Sequence, residues 1–134
     1  RLKEAEKRGL EMAHWLSERP EVMRVLHPAL PECPGHELWK RDFTGSSGLF
    51  SFVLKPEFTK AGVANMLDHM GIFGMGYSWG GFESLMIPFN CADYRTATTW
   101  QPGGLTLRIQ IGLEDMDDLK TDLAEGFARL RAVL

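Results

Sequence analysis

The stretch FGMGYSWGGFESLMI (Phe73–Ile87) and the run LTLRIQI (Leu105–Ile111) decide how this chain is read. In the second run Leu105, Leu107, Ile109 and Ile111 alternate with Thr106, Arg108 and Gln110. That is the two-residue period of a strand with one buried face and one face that tolerates polar groups. In the first, Gly80-Gly81 permits φ > 0 or a close backbone approach that a side chain would obstruct. Tyr77, Ser78 and Trp79 stand just before it, where an apolar segment hands over to a turn. Arg108, Ser78 and the backbone around Trp79 are read together as one half of a carboxylate-binding site, with the other half outside this chain.

Outward from these runs the periodicity is mostly helical. Residues 2–17 place Leu2, Ala5, Gly9, Met12, Ala13 and Leu16 on one face of a helix that Pro20 ends. Glu21–Leu26 reads as a short strand closed by His27-Pro28, followed by a Pro- and Gly-bearing loop and one or two helical turns over Glu37–Asp42. Leu49–Leu54 is apolar on both faces and reads as a central strand. A helix over about 59–70 buries Val63, Met66, Leu67 and Met70 and stops near Gly71. Ile72–Ser78 and Glu83–Pro88 are read as a third and a fourth strand, and Asn90–Gln101 as a polar loop. The acidic run after Gly112 opens a last helix that buries Met116, Leu119, Leu123, Phe127 and Leu130. The sum is an α+β domain, a small and mostly antiparallel sheet with helices packed on one face.

Composition narrows the function. The 134 residues suit one domain, and 44% hydrophobic with 25% charged residues is ordinary for a globular chain. A net charge of −3 without a Lys/Arg cluster speaks against nucleic acid as a partner, and no apolar run approaches the ~18 residues that span a bilayer. Arg1 opens the chain in the middle of a helical pattern, which suggests a piece of a longer polypeptide. Cys33 and Cys91 are not spaced as metal ligands and, as two free thiols, fit a cytoplasmic location. His27 and His36 have no acidic partner at a ligand offset and read as surface or loop histidines. Gly45–Gly48 lacks the GK[ST] ending of a phosphate loop and precedes a strand. Trp15, partly off the apolar stripe, reads as core packing.

An arginine on a strand's polar face costs desolvation unless it meets an anion. Guanidinium presents a planar fork that matches a carboxylate with two parallel hydrogen bonds. Two occupants of that fork remain open on spacing alone: a ligand's carboxylate, assisted by Ser78 and the amides near Gly80-Gly81, or an acidic residue of the domain such as Glu83. Spacing gives an anion site and no reaction, since no Ser/His/Asp or Cys/His arrangement is present.

Tyr77–Leu85 (YSWGGFESL) resembles the S-x-GG-x-ESL motif of the Cys/Met metabolism family of pyridoxal-phosphate (PLP) enzymes. Leu107–Asp115 (LRIQIGLED) resembles that family's R-x-S-x-G-x-E segment, with Gln110 where serine is common. The likeness runs along the whole chain, His27-Pro28 and Gly45–Phe52 included. It covers only the C-terminal small domain of these fold-type I enzymes, so residues 1–134 would be that domain with the large cofactor-binding domain absent. Tyr77 and Trp79 around Ser78 are similar to the bacterial cystathionine β-lyase branch. The resemblance implies that Arg108 binds the α-carboxylate of an amino-acid substrate, with Ser78 and the Trp79 backbone assisting and Tyr77 and the Trp79 ring shaping the pocket. It implies β-elimination of cystathionine to homocysteine, pyruvate and ammonia in methionine biosynthesis, with the PLP ring as electron sink. The lysine that holds PLP, its phosphate loop and the aspartate at the pyridine nitrogen would lie upstream. None of Lys3, Lys7, Lys40, Lys55, Lys60 or Lys120 stands in the family's cofactor-lysine context. Implied partners are the amino-acid substrate, the large domain of the same polypeptide and further copies of the enzyme, a tetramer in the family. A γ-lyase, a γ-synthase or a methionine γ-lyase would share the same Arg108, and a non-catalytic amino-acid-binding module is a reading from another class. Surface facing the missing domain, including Met75, Trp79 and Phe82, is expected to be exposed.

Overall fold

The computed structural model describes residues 1–134. In chain order the elements are α1 (Leu2–Ser17), β1 (Val22–Leu26), α2 (His36–Asp42), β2 (Leu49–Leu54), α3 (Lys60–Leu67), β3 (Leu85–Phe89), β4 (Thr106–Gln110) and α4 (Met116–Arg131). The four strands form one sheet in the order β1-β2-β4-β3, and every pairing is antiparallel. Register sorts the side chains into two faces, because directly paired residues of neighbouring strands share a face. Ile109 pairs with Phe50 and Met86, and Leu107 with Phe52. These residues join Met12, Ala13 and Leu16 of α1, Val63 and Met66 of α3, and Leu119, Leu123 and Phe127 of α4 in one core. The opposite face carries Ser51, Arg108 and Ile87 in one row. Helices therefore pack on one side, as the α+β pattern required.

Three boundaries depart from the sequence expectation, each because side chains take up backbone groups. Ile72–Ser78 is not a strand; Gly74 alone makes a bridge to Leu85. The buried Asp122 carboxylate accepts from the N–H groups of Gly71, Ile72 and Phe73 at 2.8, 2.8 and 3.0 Å, which removes them from any ladder. Glycines at 74 and 76 lower strand propensity further. The strand expected over Glu83–Pro88 begins instead at Leu85, since the Ser84 N–H donates to the Glu114 carboxylate at 2.9 Å. Pro88 fits within β3 because that strand lies at the sheet's edge. The helix expected to 70 ends at Leu67, where the Arg129 guanidinium donates to the Met66 carbonyl of the last turn at 3.1 Å.

His27 also differs from expectation, being fully buried against the Phe50 ring at 5.2 Å between centroids. Its Nδ1 accepts from the Ala29 N–H at 3.1 Å, and burial first, with His14 second, lowers its pKa from 6.5 to about 4. Trp15 packs against the core with the Arg19 guanidinium over its ring. Both cysteines are free.

Candidate functional site

Arg108 projects from the middle of β4 on the face away from the helical core, beside Ser51 and Ile87. Its neighbours Leu107 and Ile109 are fully buried, which fixes the strand, while the arginine itself is half-buried. The chain's ion pairs are Arg8–Glu4, Arg41–Asp42, Lys120–Glu11 and Arg131–Glu21, so Arg108 is in none of them. One guanidinium N–H donates to the Tyr77 carbonyl at 2.6 Å. Of the two occupants left open by spacing, an acidic residue of the domain is not the one found.

The motif loop thus comes directly to Arg108. Tyr77 and Trp79 are 78% and 63% exposed, and Met75 and Phe82 are exposed, as the sequence led us to expect. Ser78, Trp79 and Gly80 make no backbone hydrogen bond within the chain, which leaves their N–H groups available to a ligand. Gly80 takes φ 81°, the left-handed conformation that glycine reaches without strain, whereas Gly81 does not use it.

What fastens this loop to β4 is a set of residues that were quoted in the two motifs without a role. Ser84 Oγ donates to Glu114 at 2.7 Å and accepts from the Gly112 N–H at 2.8 Å. Leu113 N–H donates to the Phe82 carbonyl at 2.8 Å. Arg8 of α1 donates to the carbonyls of Gly112, at 2.7 Å, and Glu114. A Cβ on Gly112 would collide with the Phe82 carbonyl, so the glycine is what lets the two segments touch. Serine, glycine and glutamate in these motifs weld one to the other. Gln110, buried on the same face as Arg108, donates from Nε2 to the carbonyls of Gly81 and Ile111 at 3.2 and 3.1 Å. Its Oε1 has no partner; leaving a buried acceptor unmet costs about 1–3 kcal/mol, so the amide is held there by its donors.

Asp122 was missed altogether. Its signal was available: a carboxylate within the buried stripe of α4, between Leu119 and Leu123, has to find donors.

A second concavity, an apolar hollow of about 620 Å³, is lined by Val63, Leu67, Met75, Phe89, Trp100 and Leu107 among others. Arg108 is not part of it, and the charged residues lining the hollow are Lys60 and Asp68. The lysines stand off β4: Lys3, Lys7, Lys60 and Lys120 on the helices, Lys40 on α2 and Lys55 beyond the end of β2. A guanidinium outside every ion pair, beside unbonded amides, offers donors that suit an anion.

Comparison with known proteins follows the same lines. Residues 1–128 match the model of the family described as Cys/Met metabolism PLP-dependent enzyme. The cystathionine beta-lyase MetC of Escherichia coli is 52% identical over 133 residues, covering 97% of this chain and 34% of that protein. An L-alanine/L-glutamate racemase of Wolbachia pipientis is 44% identical over 131 residues, covering 97% of this chain and 32% of its own length. Among solved structures, a cystathionine gamma synthase from Xanthomonas oryzae superposes with a TM-score of 0.81 at 31% identity, over 100% of this chain and 35% of that one. This chain spans about a third of the length of the relatives it matches. With two motifs joined residue by residue in the fold and a family match along nearly the whole sequence, the chain belongs to the Cys/Met metabolism family of PLP-dependent enzymes.

Proposed function

We propose that residues 1–134 are the C-terminal, substrate-carboxylate-binding domain of a PLP-dependent cystathionine β-lyase, a carbon–sulfur lyase of the cytoplasm. The parent would cleave cystathionine to homocysteine, pyruvate and ammonia. The observation that carries this reading is Arg108: a guanidinium on a strand face, in no ion pair, beside a loop whose amides at Ser78, Trp79 and Gly80 are unbonded. Relatives bearing the cystathionine beta-lyase description support the substrate.

The work of this chain is positional. Two parallel N–H donations from Arg108 would fix the plane of an amino acid's α-carboxylate, and the Ser78 hydroxyl and arch amides would add donors to the same group. Holding that group sets the direction of the bonds at Cα relative to whatever the rest of the enzyme brings to it. Tyr77 and Trp79 would form the wall that covers the bound zwitterion. PLP and its lysine belong, in this reading, to the large domain of the same polypeptide, and the exposed Met75, Trp79 and Phe82 would face that domain or a neighbouring copy in a homo-oligomer.

A second reading has its own support. The racemase relative, at 44% identity, has a different reaction in its description, so a carboxylate grip of this kind is compatible with more than one chemistry. Supplying the full-length parent with cystathionine, and separately with enantiopure alanine and glutamate, separates them. Pyruvate with homocysteine supports the β-lyase, 2-oxobutyrate with cysteine a γ-lyase, and loss of optical purity in alanine or glutamate a racemase. For the isolated chain, incubation with PLP is expected to leave no absorption band that survives dialysis and no turnover. A retained band that vanishes on replacing one of the six lysines would contradict that.

A further inference from the structure

The polar face of β4 holds the motif loop at two carbonyls. Arg108 donates to Tyr77 at 2.6 Å, and Gln110, two residues along the same face, donates to Gly81 at 3.2 Å. Between these two rungs Ser78, Trp79 and Gly80 make no backbone hydrogen bond of their own. The segment is thus an arch held by β4 only at its two ends, and Gly80 at φ 81° turns it.

The rungs differ in kind. Arg108 is half-exposed, and its acceptor is a neutral carbonyl. An incoming carboxylate is the stronger acceptor for a guanidinium and competes with Tyr77 for it. Gln110 is 3% exposed, so no ligand reaches its amide. Its Nε2 also donates to Ile111, which ties the Gly81 end of the arch to the backbone just past β4.

We propose that Gln110 is a positioning residue that keeps the Gly81 end of the arch fixed on β4 while Arg108 exchanges the Tyr77 carbonyl for the substrate's carboxylate. The proposal rests on the carboxylate-binding reading of Arg108. Without the Gln110 rung, the exchange at Arg108 would leave the Gly81 end tied only through the Leu113–Phe82 hydrogen bond one residue on, and the free amides would lose their place relative to the guanidinium. Gln110 itself touches no substrate.

The test uses the full-length, PLP-loaded parent. Gln110→Met removes both donations at nearly constant volume, and Gln110→Ala, which has no side-chain donor, serves as a second variant if the first folds poorly. Each is expected to raise KM for the amino-acid substrate about tenfold with kcat within about twofold of wild type. Amide hydrogen exchange across residues 77–82 should quicken severalfold in the substrate-bound enzyme while that of 85–89 does not change. A fall in thermal midpoint with wild-type KM and wild-type exchange would mean a merely structural glutamine and would overturn the proposal. Arg108→Ala, measured alongside, keeps the two claims apart. Unchanged substrate binding in that variant overturns the carboxylate reading and this proposal with it. Weakened binding there, with wild-type behaviour in both Gln110 variants, overturns the positioning role alone.

Discussion

Replacing Ser84 by alanine tests whether the two motifs are joined as described. Ser84 is 1% exposed, and its hydroxyl both donates to Glu114 and accepts from the Gly112 N–H. Alanine leaves the buried Gly112 N–H without an acceptor, at about 1–3 kcal/mol, and removes one charge-assisted hydrogen bond from Glu114, worth about 1.5–3 kcal/mol. The two losses share atoms and do not add fully, so the expected destabilisation is about 3 kcal/mol. For a domain of this size 1 kcal/mol moves the thermal midpoint by roughly 4 °C. Circular dichroism melting of this chain should therefore show Ser84→Ala lower by about 12 °C. Glu114→Ala and the double variant complete a cycle, whose coupling should exceed about 1 kcal/mol. A shift under about 2 °C, or strict additivity of the two variants, would show that the Ser84–Glu114–Gly112 contacts do not weld the loop to β4.

Other outcomes follow from buried polar groups. His27 is held neutral in the fold, so the unfolded chain binds the extra proton between its ordinary pKa of 6.5 and the lowered one of about 4. Stability is thus lost as pH falls through that window, by about 2 kcal/mol after allowing for solvent screening, and His27→Asn should flatten the acid limb of the melting-temperature profile; an unchanged limb would refute this. Asp122→Ala should cost about 3 kcal/mol by releasing three backbone N–H groups, with Asp122→Asn recovering about half; equal melting of all three proteins would show that the anchor at Gly71–Phe73 is idle.

Much of this molecule was legible in its residues, and the failures share one cause. The alternation around Arg108 and the helical stripes of Met12, Ala13, Leu16 and of Leu119, Leu123, Phe127 located the sheet and the layer packed on it, because burial imposes a period that local sequence displays. Ile72–Ser78 misled because its apolar residues suggested a strand, while the groups that divert its backbone, above all Asp122, lie some fifty positions away. His27 misled for the same reason, since it is buried against Phe50, a residue of β2 distant in sequence. At the site, Arg108, Ser78 and Trp79 could be picked by type and spacing. The contacts that bring them together, through Ser84, Gly112, Glu114, Gln110 and Arg8, are long-range and were visible only as unexplained letters of a motif.

Calorimetric titration of the PLP-loaded parent with an unreactive α-amino acid and with its α-carboxamide asks most directly what Arg108 grips. Two charge-assisted donations to a carboxylate are worth about 3 kcal/mol, or roughly 100-fold in affinity. Wild type should prefer the acid over the amide by about that factor, and Arg108→Ala should bind the two alike. An Arg108→Ala protein that still prefers the acid 100-fold would mean that the carboxylate is held by other residues.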